Sequence, residues 1–119
     1  MSTGSALPFS KFRKAQGLVY LSGEMPFDEQ GNVPEGIAAQ TALTLRRISA
    51  TLAQAGLTLA DVVNVTVHLT HPEDFAEFNA VYRECFMEPY PTRTTVAAAL
   101  MVPAGRVEIT VIAVDRASA

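Results

Sequence analysis

Hydrophobic positions along the chain change their spacing several times, and each change predicts an element of secondary structure. Val63, Val65, Val67 and Leu69 alternate with polar residues, which is the period of a strand with one buried face. Earlier residues recur at spacings of three and four and predict a helix, ended by Gly56. Its buried face is predicted to be Ile37, Thr41, Leu45, Ile48, Leu52 and Ala55. A second helix begins at Pro72-Glu73-Asp74, with an inner face predicted to be Phe75, Phe78, Tyr82, Cys85 and Phe86.

Runs of β-branched and aromatic residues predict two strands at each end of the chain. Residues 9–16 and 18–22 form the first pair, joined near Gln16-Gly17, and residues 92–100 and 106–114 form the last pair. The longest apolar run, residues 96–102, suits a buried strand. The connection at residues 103–105 is too short for a crossover, so the last two strands must run antiparallel. The predicted order is β-β-α-β-α-β-β in a single α+β domain over residues 1–119.

Two helices can cover only one face of a five-stranded sheet, so the opposite face must meet water or another sheet. That face carries Asn64, Thr66 and His68. The chain is 49% hydrophobic and only 18% charged, against about 25% charged residues in an average globular chain. We therefore expect part of the surface to be covered by other subunits.

Net charge excludes some classes of partner. A charge of −3 and a pI near 5.3 argue against a nucleic-acid-binding protein, which needs a basic surface. No segment approaches the roughly 20 apolar residues of a membrane span. The start, Met1-Ser2-Thr3-Gly4-Ser5, has no basic region followed by an apolar one, so we predict a cytoplasmic protein without a signal peptide.

Cysteine and histidine give no indication of a metal site. Cys85 is the only cysteine, and we interpret it as a small buried hydrophobe rather than a nucleophile. His68 and His71 have no cluster of acids or cysteines to complete a coordination sphere, so we interpret them as solvated or interface histidines.

Arg93 and Glu108 are the candidate chemical groups, because each lies near the start of an otherwise uncharged strand. A guanidinium matches a carboxylate bidentately, and a carboxylate on an apolar strand needs a partner, a water or a substrate. The pair suggests a site for a small organic acid. A structural ion pair or a solvated sheet edge would produce the same pattern.

Several short motifs, in order and at compatible spacing, resemble the RidA (YjgF) type of reactive-intermediate deaminase over residues 8–113. They are Pro8-Phe9-Ser10, Leu-Val-Tyr-Leu-Ser-Gly at 18–23, Ala39-Gln40-Thr41, Asp61-Val62-Val63, Phe-Asn-Ala-Val-Tyr at 78–82, Pro-Thr-Arg-Thr-Thr-Val at 91–96 and Val107-Glu108-Ile109. The resemblance implies a chorismate-mutase-like fold and a homotrimer with sites between subunits. It also implies hydrolysis of small 2-imino acids or enamines, such as 2-iminobutanoate and 2-iminopropanoate, to 2-oxo acids and ammonia without metal or organic cofactor.

Position by position, the resemblance makes Arg93 the residue that binds the substrate carboxylate and Glu108 the one that places the attacking water. Ser22, Gly23 and Asn79 match residues that line the cleft. Thr95 stands where many members have cysteine or serine, so it keeps hydrogen bonding without thiol chemistry. Phe9 departs from the usual tyrosine and lacks its hydroxyl, which leaves the preferred substrate open.

Three alternatives stay open at this stage. The protein could be a trimeric binding module that captures a small carboxylate through Arg93 without turnover. It could act on a different enamine, or have a protein-holding or ribonuclease role, although the acidic charge disfavours the last. Because antiparallel strands place Arg93 and Glu108 toward opposite ends of one sheet, a shared substrate would take them from different chains.

Overall fold

A computed structural model of the protein describes residues 7–116, which form five strands and two α-helices. In chain order these are β1 (Phe12–Ala15), β2 (Leu18–Leu21), α1 (Ile37–Gln54), β3 (Val62–Leu69), α2 (Phe75–Cys85), β4 (Thr92–Ala97) and β5 (Val107–Val114). Short 3-10 turns at Leu59–Asp61 and Pro72–Asp74 lead into β3 and α2. The α+β class and the β-β-α-β-α-β-β order are thereby confirmed.

The sequence predicted neither a membrane span nor a signal peptide. Within residues 7–116, neither α-helix has the length and apolar content that a membrane crossing requires. The segment Met1-Ser2-Thr3-Gly4-Ser5, for which we expected no signal peptide, lies outside the described residues.

The strands form one sheet in the order β1-β2-β5-β3-β4. Neighbouring strands are antiparallel except β3 and β4, which are parallel and joined by α2. β4 and β5 therefore run in opposite directions, as predicted, but β3 lies between them. The connection at residues 98–106 passes the end of β3, and β4 is left at an edge of the sheet.

Both helices pack on one face of the sheet, and the hydrophobic core lies between the helices and the sheet. The six positions predicted for the inner face of α1 are all buried. Burying a side chain such as Leu45 or Ile48 stabilises the fold by about 1.5–3 kcal/mol. Alternate residues of β3 and β5 supply the sheet side: Val65, Val67, Leu69, Val107, Ile109, Val111 and Ala113. Asn64, Thr66 and His68 point the other way, onto what we call the open face.

The first residues of β3 depart from the predicted alternation. The register with β5 shifts between Val62 and Asn64, which is a β-bulge. Val62 is consequently buried, and Val63 is 38% exposed. The assignment of Val63 to the buried face was wrong, because the extra residue of the bulge turns its side chain outward.

The apolar run at residues 96–102 is not a buried strand. β4 ends at Ala97, and Val96 and Met101 are 43% and 90% exposed. The prediction was wrong because β4 is an edge strand with no neighbour on its outer side, and none of residues 96–102 is fully buried. β1 is also shorter than predicted, since it begins only at Phe12.

The inner face of α2 is confirmed in its centre and wrong at its start. Phe78, Tyr82 and Phe86 are buried, and Cys85 is partly buried against the core. Phe75 is 47% exposed, because it lies beside the edge strand β4, where it lines a surface hollow with Thr95 and Val96. Its ring borders Arg93 instead of the core.

A polar network fixes the connection before β5. Gln40, buried on α1, donates from Nε2 to the carbonyls of Pro34 and Ala104 at 2.9 and 3.1 Å, and its Oε1 accepts from the Arg106 amide at 2.7 Å. Arg106 donates through Nε and Nη2 to both carboxylate oxygens of Asp74 at 2.9 and 3.0 Å. Such a bidentate pair defines orientation as well as distance. The backbone is therefore held in place two residues before Glu108.

Candidate functional site

Arg93 projects from β4 toward the helices, because it lies opposite Val65, whose side chain is in the core. Its guanidinium carbon is 4.7 Å from the ring centre of Tyr82, 5.3 Å from that of Phe78 and 5.7 Å from that of Phe75. Each such cation–π contact stabilises by about 0.5–1 kcal/mol at an exposed site and more when desolvated. Together the three rings define where the guanidinium lies.

No carboxylate within residues 7–116 forms an ion pair with Arg93. The ion pairs of this region involve Lys11, Lys14, Arg47, Arg106 and Arg116. The sequence left open a structural ion pair between Arg93 and Glu108. That ion pair is not formed within one chain. A half-buried guanidinium without an anion is available to bind one.

Arg93 borders a cavity of about 270 Å³ whose wall also contains Asn79, Tyr82, Arg83, Tyr90 and Pro91. Asn79 and Tyr82 share this wall because they are three residues apart on α2. Thr95 lies on the same face of β4 as Arg93 and lines an adjoining hollow with Phe75. We call Arg93, Asn79, Tyr82 and Thr95 the arginine group.

Tyr82 was predicted only as a core residue, yet its hydroxyl is a polar group of this site. The residue is 6% exposed, and its hydroxyl makes no hydrogen bond of good geometry in the described part of the chain. Burial raises the pKa of this hydroxyl above its ordinary value, and the positive charge of Arg93 partly opposes the rise. An unpaired buried polar group costs on the order of 1–3 kcal/mol.

Glu108 lies on the open face of the sheet, opposite His68 in the register of β3 and β5. Within residues 7–116 its carboxylate has neither a hydrogen-bond nor an ion-pair partner. The backbone at Gly23 passes directly beside it. A Cβ added at Gly23 would overlap the carboxylate and lie 3.0 Å from Thr110 Oγ1, so only glycine allows this approach.

The close approach of Gly23 follows from how Glu24 is held. Its backbone exchanges hydrogen bonds with Ile109, at 2.8 Å from the Glu24 amide and 3.1 Å to the Glu24 carbonyl. Its carboxylate accepts from Arg47 Nε on α1 at 2.9 Å. These hydrogen bonds hold the segment after β2 alongside β5 and place Gly23 next to Glu108.

Ser22 precedes Gly23 in sequence and is linked by hydrogen bonds to the segment that follows Phe9. The Ser22 hydroxyl donates to the Ser10 carbonyl at 2.6 Å and its amide to the Lys11 carbonyl at 3.1 Å, which ties down the segment that contains Phe9. The Phe9 side chain is 61% exposed and is not part of the core. We call Glu108, Gly23, Ser22 and Phe9 the glutamate group.

The two groups lie apart within one chain. Arg93 is level with Val65 of β3, and Glu108 is level with His68, three residues further along that strand. Adding two strand spacings, their Cα atoms are on the order of 14 Å apart. Their side chains also project from opposite faces of the sheet. Within one chain, the site residues predicted from the sequence therefore form two separate groups rather than a single pocket.

Metal ligation finds no support in residues 7–116, where no three His, Cys, Asp or Glu side chains are grouped around a possible ion. His71 Nδ1 instead forms a hydrogen bond of 2.7 Å with its neighbour Thr70 Oγ1. His68 Nδ1 is buried without a hydrogen-bond partner within this region.

Comparison with known proteins gives consistent results over nearly the whole chain. The family model described as Endoribonuclease L-PSP matches residues 2–115. The Schizosaccharomyces pombe protein named "Protein mmf2, mitochondrial" is 38% identical over 111 residues, covering 91% of this chain and 88% of that protein.

Solved structures extend the likeness to three dimensions. RidA from the Antarctic bacterium Psychrobacter superposes with a TM-score of 0.86 at 38% identity, covering 90% of this chain and 88% of that one. Escherichia coli TdcF with bound serine superposes with a TM-score of 0.85 at 34% identity, covering 93% and 91%. The latter protein carries the name "Putative reactive intermediate deaminase TdcF".

Proposed function

The chain belongs to the RidA family, also described as Endoribonuclease L-PSP, and from that membership we propose that it is a hydrolytic deaminase of small 2-imino acids and their enamine tautomers. Its products are 2-oxo acids and ammonia, and the substrates are of the 2-iminobutanoate and 2-iminopropanoate type. The proposed reaction uses no metal or organic cofactor: water is the nucleophile, and Glu108 accepts its proton. We propose a cytoplasmic location, although two relatives, mmf2 and mmf1 of Schizosaccharomyces pombe, are named as mitochondrial.

The main support for this proposal is Arg93, which has no ion-pair partner within residues 7–116. A planar cation, oriented by three aromatic rings and without an acidic partner among residues 7–116, matches the carboxylate that every 2-imino acid contains. Serine, the ligand in the TdcF structure, is a small amino acid with a carboxylate in the same position relative to its nitrogen. Asn79 and Thr95 supply further hydrogen-bonding groups beside Arg93.

Glu108 performs the proton transfer in this proposal. Water adds to the carbon of the C=N bond while Glu108 accepts a proton from that water and passes it to the nitrogen. In the resulting carbinolamine the hydroxyl proton moves to the nitrogen through Glu108, ammonia leaves and the C=O bond forms. General-base assistance of this kind contributes about 10²–10⁴ in rate. Such an increase suffices, because these imines also hydrolyse unaided. The open space left by Gly23 keeps the carboxylate accessible.

The site is built between subunits in this proposal, because one chain keeps the two groups apart. A homotrimer supplies the arginine group from one subunit and the glutamate group from the next. Exposed apolar side chains on and beyond the sheet, such as Tyr20, Val96 and Met101, favour contact with another copy of the chain.

The test of the proposal measures ammonia released from freshly generated 2-iminobutanoate. The purified protein is expected to accelerate release above the background rate, and 2-iminopropanoate and bulkier imines define its substrate range. A protein that binds 2-oxobutanoate through Arg93 without accelerating release would be the alternative, a carboxylate-binding module. The net charge of −3 gives no support to a ribonuclease.

Gly23→Ala is predicted to lower kcat with little effect on the fold. The new methyl group occupies the position of the Glu108 carboxylate, which must rotate away from where it activates water. We expect a loss of about 10²-fold, most of the contribution of a general base. Steady-state ammonia release checks the loss. Gly105→Ala is the control, because a Cβ there meets only ordinary contacts of 3.4 Å or more. Equal activity of the two variants would contradict the role of Gly23.

Phe9→Tyr is predicted to fold normally and to raise kcat/KM on small imines a few-fold. The ring is 61% exposed, so a hydroxyl adds no buried polar group, and it restores a hydrogen-bonding group to the glutamate group. The measurement compares 2-iminopropanoate with a bulkier imine. Unchanged rates on both would show that Phe9 lies outside the working cleft.

A further inference from the structure

The Tyr82 hydroxyl has no structural role that accounts for its position. A core position would be filled equally well by phenylalanine, yet this residue carries a buried hydroxyl without a hydrogen-bond partner in residues 7–116. The same residue lines the cavity that Arg93 borders. Natural structures leave few buried polar groups unpaired, and an exception beside a binding cavity points to a ligand.

The ring of Tyr82 is held from several sides, which fixes the place of its hydroxyl. It stacks on Phe86 with ring centres 4.5 Å apart and packs against Phe78 at 5.6 Å. The guanidinium of Arg93 covers it at 4.7 Å. The hydroxyl therefore needs little reordering to meet a ligand, which favours binding.

We propose that the Tyr82 hydroxyl donates a hydrogen bond to the same substrate carboxylate that Arg93 binds. This inference rests on the proposed function. A carboxylate has about four lone-pair sites, and a guanidinium fork uses two of them, so a third donor can be accommodated. The aromatic ring of Tyr82 orients the guanidinium of Arg93, and the hydroxyl of Tyr82 supplies the additional hydrogen-bond donor. Tyr82 is then a substrate-binding residue as well as a core residue.

The electrostatics of the hydroxyl agree with a donor role. Burial raises its pKa, so it keeps its proton under ordinary conditions, and a phenol with its proton can donate to an anion. Arg93 opposes that rise through its positive charge and through its side-chain interaction with the hydroxyl oxygen, and neither uses the O–H proton, which stays available to donate.

The experiment titrates the protein with 2-oxobutanoate and with uncharged 2-oxobutanamide by calorimetry. Tyr82→Phe keeps the ring that stacks under Arg93 and removes only the hydroxyl. We expect about tenfold weaker binding of 2-oxobutanoate, the effect of one lost hydrogen bond to a charged group. Binding of the amide should change far less. The melting temperature should stay equal or rise, because an unpaired buried group is removed.

Thr41→Val is the matched control, since it removes another buried hydroxyl without a hydrogen-bond partner in residues 7–116, on α1 and outside the arginine and glutamate groups, and it should bind as the wild type does. Unchanged binding of 2-oxobutanoate by Tyr82→Phe, while Arg93→Ala abolishes it, would overturn this inference alone. Equal binding by Arg93→Ala and wild type would overturn the proposed function and this inference together. If Tyr82→Phe proves unstable, 3-fluorotyrosine at position 82 replaces it. Its fluorine resonance should then shift with 2-oxobutanoate and not with the amide, and no selective shift would overturn the inference.

Discussion

Arg93→Lys is expected to lower kcat/KM for 2-iminobutanoate by on the order of 100-fold, although the positive charge remains. Lysine presents a compact ammonium, which cannot form two parallel hydrogen bonds to a carboxylate. It also lacks the flat surface that lies over Tyr82, Phe78 and Phe75 in this protein. The expected loss corresponds to one charge-assisted hydrogen bond and the orientation that the second provides.

The fold should tolerate this change. Arg93 is only half-buried and makes no ion pair within residues 7–116, so no carboxylate is left unpaired by its replacement. Melting temperature and molecular mass in solution provide the check. Arg46→Lys serves as a control on the exposed side of α1 and should behave as the wild type. An Arg93→Lys enzyme with unchanged kcat/KM would remove Arg93 from the site.

The parts of the fold that follow from local periodicity were predictable. The inner face of α1 follows from a spacing of three and four residues, and all its positions are buried. The bulge in β3 was not predictable, because Val62 and Val63 are identical residues and nothing local indicates which one faces the core. The exposure of residues 96–102 depends on the strand order, which places β4 at an edge, and that order is set by contacts distant in sequence.

The sequence nominated the residues of the candidate site, and their geometry was predictable only in part. Arg93 and Glu108 are conspicuous as lone charges on strands, and the strand directions indicated that they lie apart. Their projection from opposite faces depends on register: Arg93 is in phase with the core residue Val65, and Glu108 with His68. The hydroxyl of Tyr82 was missed because helical spacing identifies a buried face but not whether a polar atom on it finds a partner.

Trimers assembled from a mixture of Arg93→Ala and Glu108→Ala chains are expected to regain activity that neither variant has alone. In the proposed homotrimer each variant lacks one half of every cleft, since we propose that Arg93 binds the substrate and that Glu108 activates the water. In a mixed ring, some clefts join the intact Arg93 of one chain to the intact Glu108 of its neighbour. With equal, randomly assorted chains, about one quarter of all clefts carry both residues, and activity should approach that fraction of the refolded wild type.

The design depends on the opposite projection of the two side chains, which rules out a shared small substrate within one chain but allows it across a subunit boundary. The two variants are unfolded together, refolded, and assayed for ammonia release beside each variant refolded singly and the wild type treated identically. Differently tagged chains, separated by mass, show that mixed trimers have formed. Recovery no greater than that of the single variants, with mixed trimers demonstrated, would mean that Arg93 and Glu108 act within one subunit or do not act on the same substrate molecule. Recovery near one quarter would require that each working cleft draws its carboxylate-binding residue and its base from two subunits.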